Sequence, residues 1–75
     1  MNIDKQLLTT IGQGIRNERK RSGLSQKELA LAAGVHTNFI GLLERGEQAA
    51  TVITMSKICL VLGIGMGDFF QNLNL

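Results

Sequence analysis

A chain of 75 residues has room for one domain and no more, and with no proline, nine glycines and 44% apolar residues it reads as short helices punctuated by glycine turns. The single cysteine, Cys59, excludes an intrachain disulfide and points to a reducing cytosol. No apolar run approaches the ~20 residues of a membrane span, and Met1 to Thr10 lacks the regions of a signal peptide, so a cytoplasmic protein with no membrane partner is expected. The net charge of +2 is modest, but Arg16, Arg19, Lys20 and Arg21 are clustered, and a local basic stripe can track phosphates. The same cations would also suit the negative end of a helix dipole.

The first periodic segment runs from about Asp4 to Ser22, with Leu7, Leu8, Ile11 and Ile15 at helical spacing and Arg19 continuing their face. Asp4 is the expected cap, and Gly23 fits the left-handed residue that ends a helix. Gly12 and Gly14 each cost roughly 1 kcal/mol against alanine, which implies either close packing or a later effective start. The second segment opens on Ser25, followed by Glu28 at capping-box spacing. Leu29, Ala30 and Ala33 give it a narrow face of small residues before Gly34 stops it. A third helix is predicted to start near Thr37, with His36 as its cap, and to end before Gly46, turning Ile40 and Leu43 inward. Glu47 to Ala50 form a loop. Thr51 caps a fourth helix carrying Met55, Ile58, Cys59 and Leu62, which Gly63 terminates. The last helix, about residues 66–72, holds Phe69 and Phe70. No strand-like alternation and no repeat interrupts this pattern, so the fold class is all-α with five helices.

The informative stretch is residues 25–45. Two short helices joined across Ala33-Gly34-Val35-His36 form the steep corner of a helix-turn-helix, with glycine where a positive φ is needed. The outer face of the second helix then carries Thr37, Asn38, Gly41, Leu42 and Arg45. Short polar and amide side chains near a helix N-terminus suit the floor of the DNA major groove.

These residues resemble the phage-repressor (Cro/cI-like, XRE) helix-turn-helix family. The likeness lies in Arg19, Gly23-Leu24-Ser25-Gln26 with Leu29-Ala30, Gly34-Val35, and Ile40 with Glu44-Arg45-Gly46, and extends through Lys57-Ile58 and Leu62-Gly63-Ile64. The run GVHTNFIGLLERGE looks most like the controller proteins of restriction-modification systems. The resemblance implies a compact, lambda-repressor-like DNA-binding domain over residues 1–75, its helix-turn-helix formed by helices 2 and 3. Base contacts are then expected from Thr37, Asn38, Gly41 and Leu42, and phosphate contacts from Gln26, His36, Arg45, Gln48 and Arg16. It also implies a structural ion pair between Arg19 and Glu44. The sequence departs from the controller pattern at Thr37 and Gln48, where those proteins often carry arginine, and at Glu18, where an apolar residue is common. Without those guanine-reading arginines, the expected base preference is weighted toward A·T pairs.

Other chemistries find no support in the residue pattern. The carboxylates show no paired arrangement, the glycines form no phosphate-cradling motif, and one histidine with one cysteine cannot build a zinc site. No enzyme, metal, cofactor or small-molecule substrate is expected. Cys59 reads as a core thiol, and Phe39 as a shoulder of the recognition helix packed on helix 2. The apolar residues near the C-terminus exceed what core closure is expected to need, so Met66, Phe69, Phe70 and Leu73 are expected to form a two-fold dimer interface. Such a dimer places two recognition helices about one DNA turn, ~34 Å, apart. The expected function is a homodimeric transcriptional regulator on a pseudo-palindromic duplex operator, repressing or activating by where it sits relative to RNA polymerase. An antitoxin, a small phage repressor and, from another class, a protein–protein adaptor without DNA binding are the alternatives.

Overall fold

The first, second and fourth helices begin at a side chain that accepts from a free amide, and the first four stop where a glycine turns the backbone left-handed. The computed structural model describes residues 2–73 and residue 75; Met1 and Asn74, which the expected 1–75 domain includes, lie outside the described residues. Among the described residues five helices follow one another: α1 (Ile3–Arg21), α2 (Gln26–Ala33), α3 (Thr37–Glu44), α4 (Val52–Leu62) and α5 (Met66–Gln71). There is no strand among the described residues.

The capping box of α2 is complete. Glu28 N–H donates to Ser25 Oγ at 3.0 Å, and Ser25 N–H donates to Glu28 Oε1 at 2.8 Å. Thr51 caps α4 in the simpler way, accepting from Thr54 N–H at 3.1 Å. Two expected caps need correction. The cap of α1 is Asn2, whose Oδ1 accepts from Lys5 N–H at 3.1 Å. Asp4 lies inside the first turn, where its charge faces the positive end of the dipole. His36 does occupy the N-cap position of α3, but its side chain makes no capping bond. Gly34, at φ 74°, ends α2 in the left-handed conformation and gives the corner its direction.

The core is small and draws on every helix: Ile15 from α1, Leu29, Ala30 and Ala33 from α2, Ile40 and Leu43 from α3, Met55, Ile58 and Cys59 from α4, and Phe69 from α5. Helices α1 and α2 both pack on α3, α2 also packs on α4, and α5 closes against α4. The paired glycines of α1 mark close packing rather than a late start. A β-carbon on Gly12 would stand 2.8 Å from the carbonyl oxygen of Glu44 and nearer still to that of Leu43. One on Gly14 would stand 3.1 Å from the Phe69 ring.

That ring corrects the expected dimer interface. Phe69 is 1% exposed and belongs to the protomer's own core, so it cannot meet a second chain. Phe70 stacks edge-to-face on it at 5.1 Å between ring centroids. Met66, Phe70 and Leu73 are half-buried against the same cluster. The first turns of α1 project beyond the core, and Ile3 and Leu7 are exposed. Cys59 is buried, and burial together with the nearby Glu18 carboxylate pushes its thiol pKa up, away from nucleophilic use. Glu18 is itself largely covered and holds Arg21 one turn on at 3.5 Å.

Two measurements check this account. Gly12→Ala should lower stability by about 1–3 kcal/mol through overpacking, even though alanine favours a helix. A melting temperature equal to or above that of the parent would show that α1 does not lie against the end of α3. The Glu28 carboxyl is held below its ordinary pKa, first by the backbone N–H of Ser25 and then by its hydroxyl. A depressed folded-state pKa contributes stability above the unfolded-state value, and that contribution is lost as pH falls through the folded value. Glu28→Gln should therefore flatten part of the acid limb of a stability–pH curve. An unchanged slope would dissociate the capping box from acid sensitivity.

Candidate nucleic-acid interface

The corner between α2 and α3 is fixed from behind by a buried charge network. Arg19, near the end of α1, donates from Nε to Glu44 Oε2 at 2.6 Å and from Nη2 to Glu44 Oε1 at 3.0 Å. This is the bidentate fork that matches a guanidinium to a carboxylate. Its remaining Nη1 donates to the Leu24 carbonyl at 2.8 Å, and Gln26 Nε2 donates to Glu44 Oε1 at 3.0 Å. The Arg19 and Glu44 side chains are 10% and 2% exposed, and among the described residues no buried side-chain nitrogen or oxygen lacks a partner. The hydrogen bond to Glu44 raises the pKa of Arg19 still further, partly offset by burial, so the guanidinium is permanently charged. One carboxylate thus joins the end of α1, the first turn of α2 and the last turn of α3, and Arg19 ties in the α1–α2 loop through Leu24.

The opposite side of the corner faces solvent. Gln26, Thr37, Asn38, Gly41, Leu42 and Arg45 line one open hollow of ≈ 350 Å³. It gathers every expected base contact together with two of the expected phosphate contacts. Thr37 and Asn38 are exposed, Leu42 is half-buried, and Gly41 forms the floor. The other three expected phosphate contacts do not line it. His36 is exposed at the start of α3, and Arg16 is exposed on α1. Gln48 is exposed in the loop after α3 and lines an apolar groove with Leu8, Val52, Met66 and Phe70 instead.

Two features escaped the sequence reading. Gln26 bonds Glu44 across a separation of 18 residues, and nothing local in the sequence marks that contact. Arg45 Nε donates to Glu47 Oε2 at 2.8 Å, although Glu47 reads only as a loop residue. The opposite charges on either side of Gly46 were the one signal for it. Among the described residues, no group of three or more histidines, cysteines or carboxylates could hold a metal ion, and no helix is long and apolar enough to cross a membrane.

A glycine corner joining two short helices, braced from behind and polar in front, defines a helix-turn-helix unit. The helix-turn-helix (HTH_3) family model matches residues 15–69, and the chain belongs to this family of transcriptional regulators. It is 32% identical to the uncharacterized HTH-type transcriptional regulator y4dJ of Sinorhizobium fredii over 54 residues, 72% of this chain and 70% of that protein. The crystal structure of the clp gene regulator ClgR from Corynebacterium glutamicum superposes with a TM-score of 0.84 at 28% identity, covering 87% of this chain and 69% of that one. The restriction-modification controller protein C.AhdI from Aeromonas hydrophila gives 0.81 at 32% identity, covering 84% and 96%.

Glu44→Ala leaves Arg19 buried without its partner and should cost ~3–5 kcal/mol in denaturant unfolding. Gln26→Ala removes one hydrogen bond to a carboxylate and should cost less, about 1.5–3 kcal/mol. If Glu44→Ala proved the milder of the two, the network would not be centred on the carboxylate.

Proposed function

We propose that the protein is a sequence-specific regulator that binds double-stranded DNA as a homodimer on a pseudo-palindromic operator, including one at its own promoter. The observation that carries this reading is the hollow on the outer face of α3, where the polar pair Thr37 and Asn38 stands over a corner locked by Arg19, Glu44 and Gln26. A recognition element must hold its donors and acceptors rigidly against a groove, and this one is held by a buried network rather than by loops.

In this reading Asn38 bridges N6 and N7 of adenine, Thr37 meets a base edge or a thymine methyl group, and Leu42 touches a methyl group one turn further on. The Gln26 amide carries two protons. One is held by Glu44, and the other is free to meet a phosphate. His36 stands at the N-terminus of α3, where free amides favour an anion, and Arg16 supplies a cation from α1. A second copy would cover the half-buried Met66 and Phe70 together with Val52, which lines the same groove and is 72% exposed. Two such protomers would present their α3 helices about one DNA turn, ~34 Å, apart. The likeness to a restriction-modification controller supports regulation of linked genes, with repression or activation set by position relative to RNA polymerase.

The test is binding to a duplex of the gene's own upstream region against unrelated DNA, at two salt concentrations. We expect roughly a hundredfold preference or more, a steep salt slope and two protomers per site. Asn38→Ala should relax discrimination at one base step by ~1–3 kcal/mol, whereas Gln26→Ala should weaken all sites more evenly. Weak binding of equal strength to both duplexes with a shallow salt slope would instead direct the search to a protein partner.

A further inference from the structure

We propose that Arg45 is a base-reading residue directed at a guanine, and that Glu47 and Gly41 set its position. The inference deepens the DNA-binding reading above and rests on it. Arg45 is the C-cap residue of α3, where an extended side chain would run past the helix toward the DNA backbone. It folds back instead. Its Nε donates to Glu47 Oε2 at 2.8 Å, and its Nη1 lies 3.1 Å from the place a β-carbon on Gly41 would occupy. The guanidinium therefore sits over the one residue of that helix face with no side chain, inside the hollow shared with Thr37 and Asn38.

Two physical arguments separate a reader from a phosphate clamp. A guanidinium has a side edge formed by Nε and one terminal nitrogen, and an end edge formed by both terminal nitrogens. Binding Nε to Glu47 leaves the end edge free, with two parallel donors matching O6 and N7 of guanine. A clamp acts through net positive charge against a polyanion, and a carboxylate 2.8 Å away opposes that. A reader acts through direction, and the same carboxylate supplies it. Among the described residues, Arg45 is the one cation lining the hollow, so a guanine contact there would add a G·C pair to an operator that Asn38 otherwise weights toward A·T.

The experiment selects a duplex site with the full-length protein and then scans each half-site by single base-pair changes at two salt concentrations. The variants are Arg45→Lys, Arg45→Ala, Glu47→Gln and Gly41→Ala, with melting curves confirming that each folds. The wild type should lose roughly 5- to 150-fold on replacing one G·C pair per half-site. Both Arg45 variants should lose that preference while retaining the others. Glu47→Gln should lower the same discrimination roughly two- to fivefold, the scale of an exposed ion pair, while binding unrelated DNA more tightly. Gly41→Ala should lower it in the parent background and have little further effect once Arg45 is alanine.

Uniform weakening of all sites by Arg45→Ala, with the salt slope reduced by about one, would identify a phosphate clamp and overturn the proposal. Tighter binding of Glu47→Gln with discrimination unchanged would overturn the positioning role of Glu47. Failure of the wild type to select any duplex would overturn the DNA-binding reading, and this proposal with it.

Discussion

The rest of the structure depends on a carboxylate that is almost completely removed from water. Glu44 is 3% exposed as a residue, and an ion so placed costs several kcal/mol unless its lone pairs are filled and an opposite charge lies beside it. It accepts three hydrogen bonds from side chains on two other helices. Each donor is usable only if its helix has the correct position and rotation. The network therefore acts less as a source of net stability than as a condition on geometry, since a displaced α1 or α2 would strand the charge. Gly12 makes the condition attainable. It lies two turns before Arg19 on α1 and lets that helix approach the carbonyl groups at the end of α3, which brings the guanidinium within reach of its partner.

The second constraint is size. A chain this short buries only roughly 60% of the surface its unfolded form exposes, and the large rings available to its core are three phenylalanines, with no tyrosine or tryptophan. Phe69 is one of them. Gly14 leaves the space its ring fills, so a residue late in the chain completes the packing of the first helix. The half-buried Met66, Phe70 and Leu73 are drawn partly into the same cluster. An apolar surplus at the C-terminus of so small a chain is consequently smaller than a count of residue types implies. Leu75 is exposed there, and the other exposed large apolar side chains among the described residues lie elsewhere, on Leu31 of α2, on Val52, Ile53 and Leu60 of α4 and on the first turns of α1.

What the sequence made legible follows the range of the interactions. The capping box at Ser25 and Glu28 and the glycine stops at Gly34 and Gly63 depend on neighbours within a few residues, and each appears where its spacing placed it. The choice of Asn2 over Asp4 at the start of α1 lies at the edge of such reasoning. Both side chains can cap, and the outcome turns on which one reaches a free amide. His36 was legible as a position but not as a chemical cap, because its ring makes no bond to the free amides of the turn. The Gln26–Glu44 bond and the burial of Phe69 are tertiary facts. They depend on how helices meet, and no local pattern encodes them.

The division between interior and surface bears on how far the family likeness reaches. The residues that set the corner between α2 and α3 are buried and mutually dependent, so changing one disturbs its partners. Thr37, Asn38, Arg45, Glu47 and Gln48 are exposed, and exposed positions tolerate substitution with little effect on folding. A helix-turn-helix frame can therefore persist while the side chains facing the groove are exchanged. The arginines that a controller-type sequence often carries at positions 37 and 48 are absent here, while Arg45 is turned inward by a carboxylate across a glycine turn. The frame this chain shares with its relatives fixes where a DNA reader would stand. In the proposed reading, the choice of base pairs is left to a few exposed side chains and to the weak surface contacts that orient them.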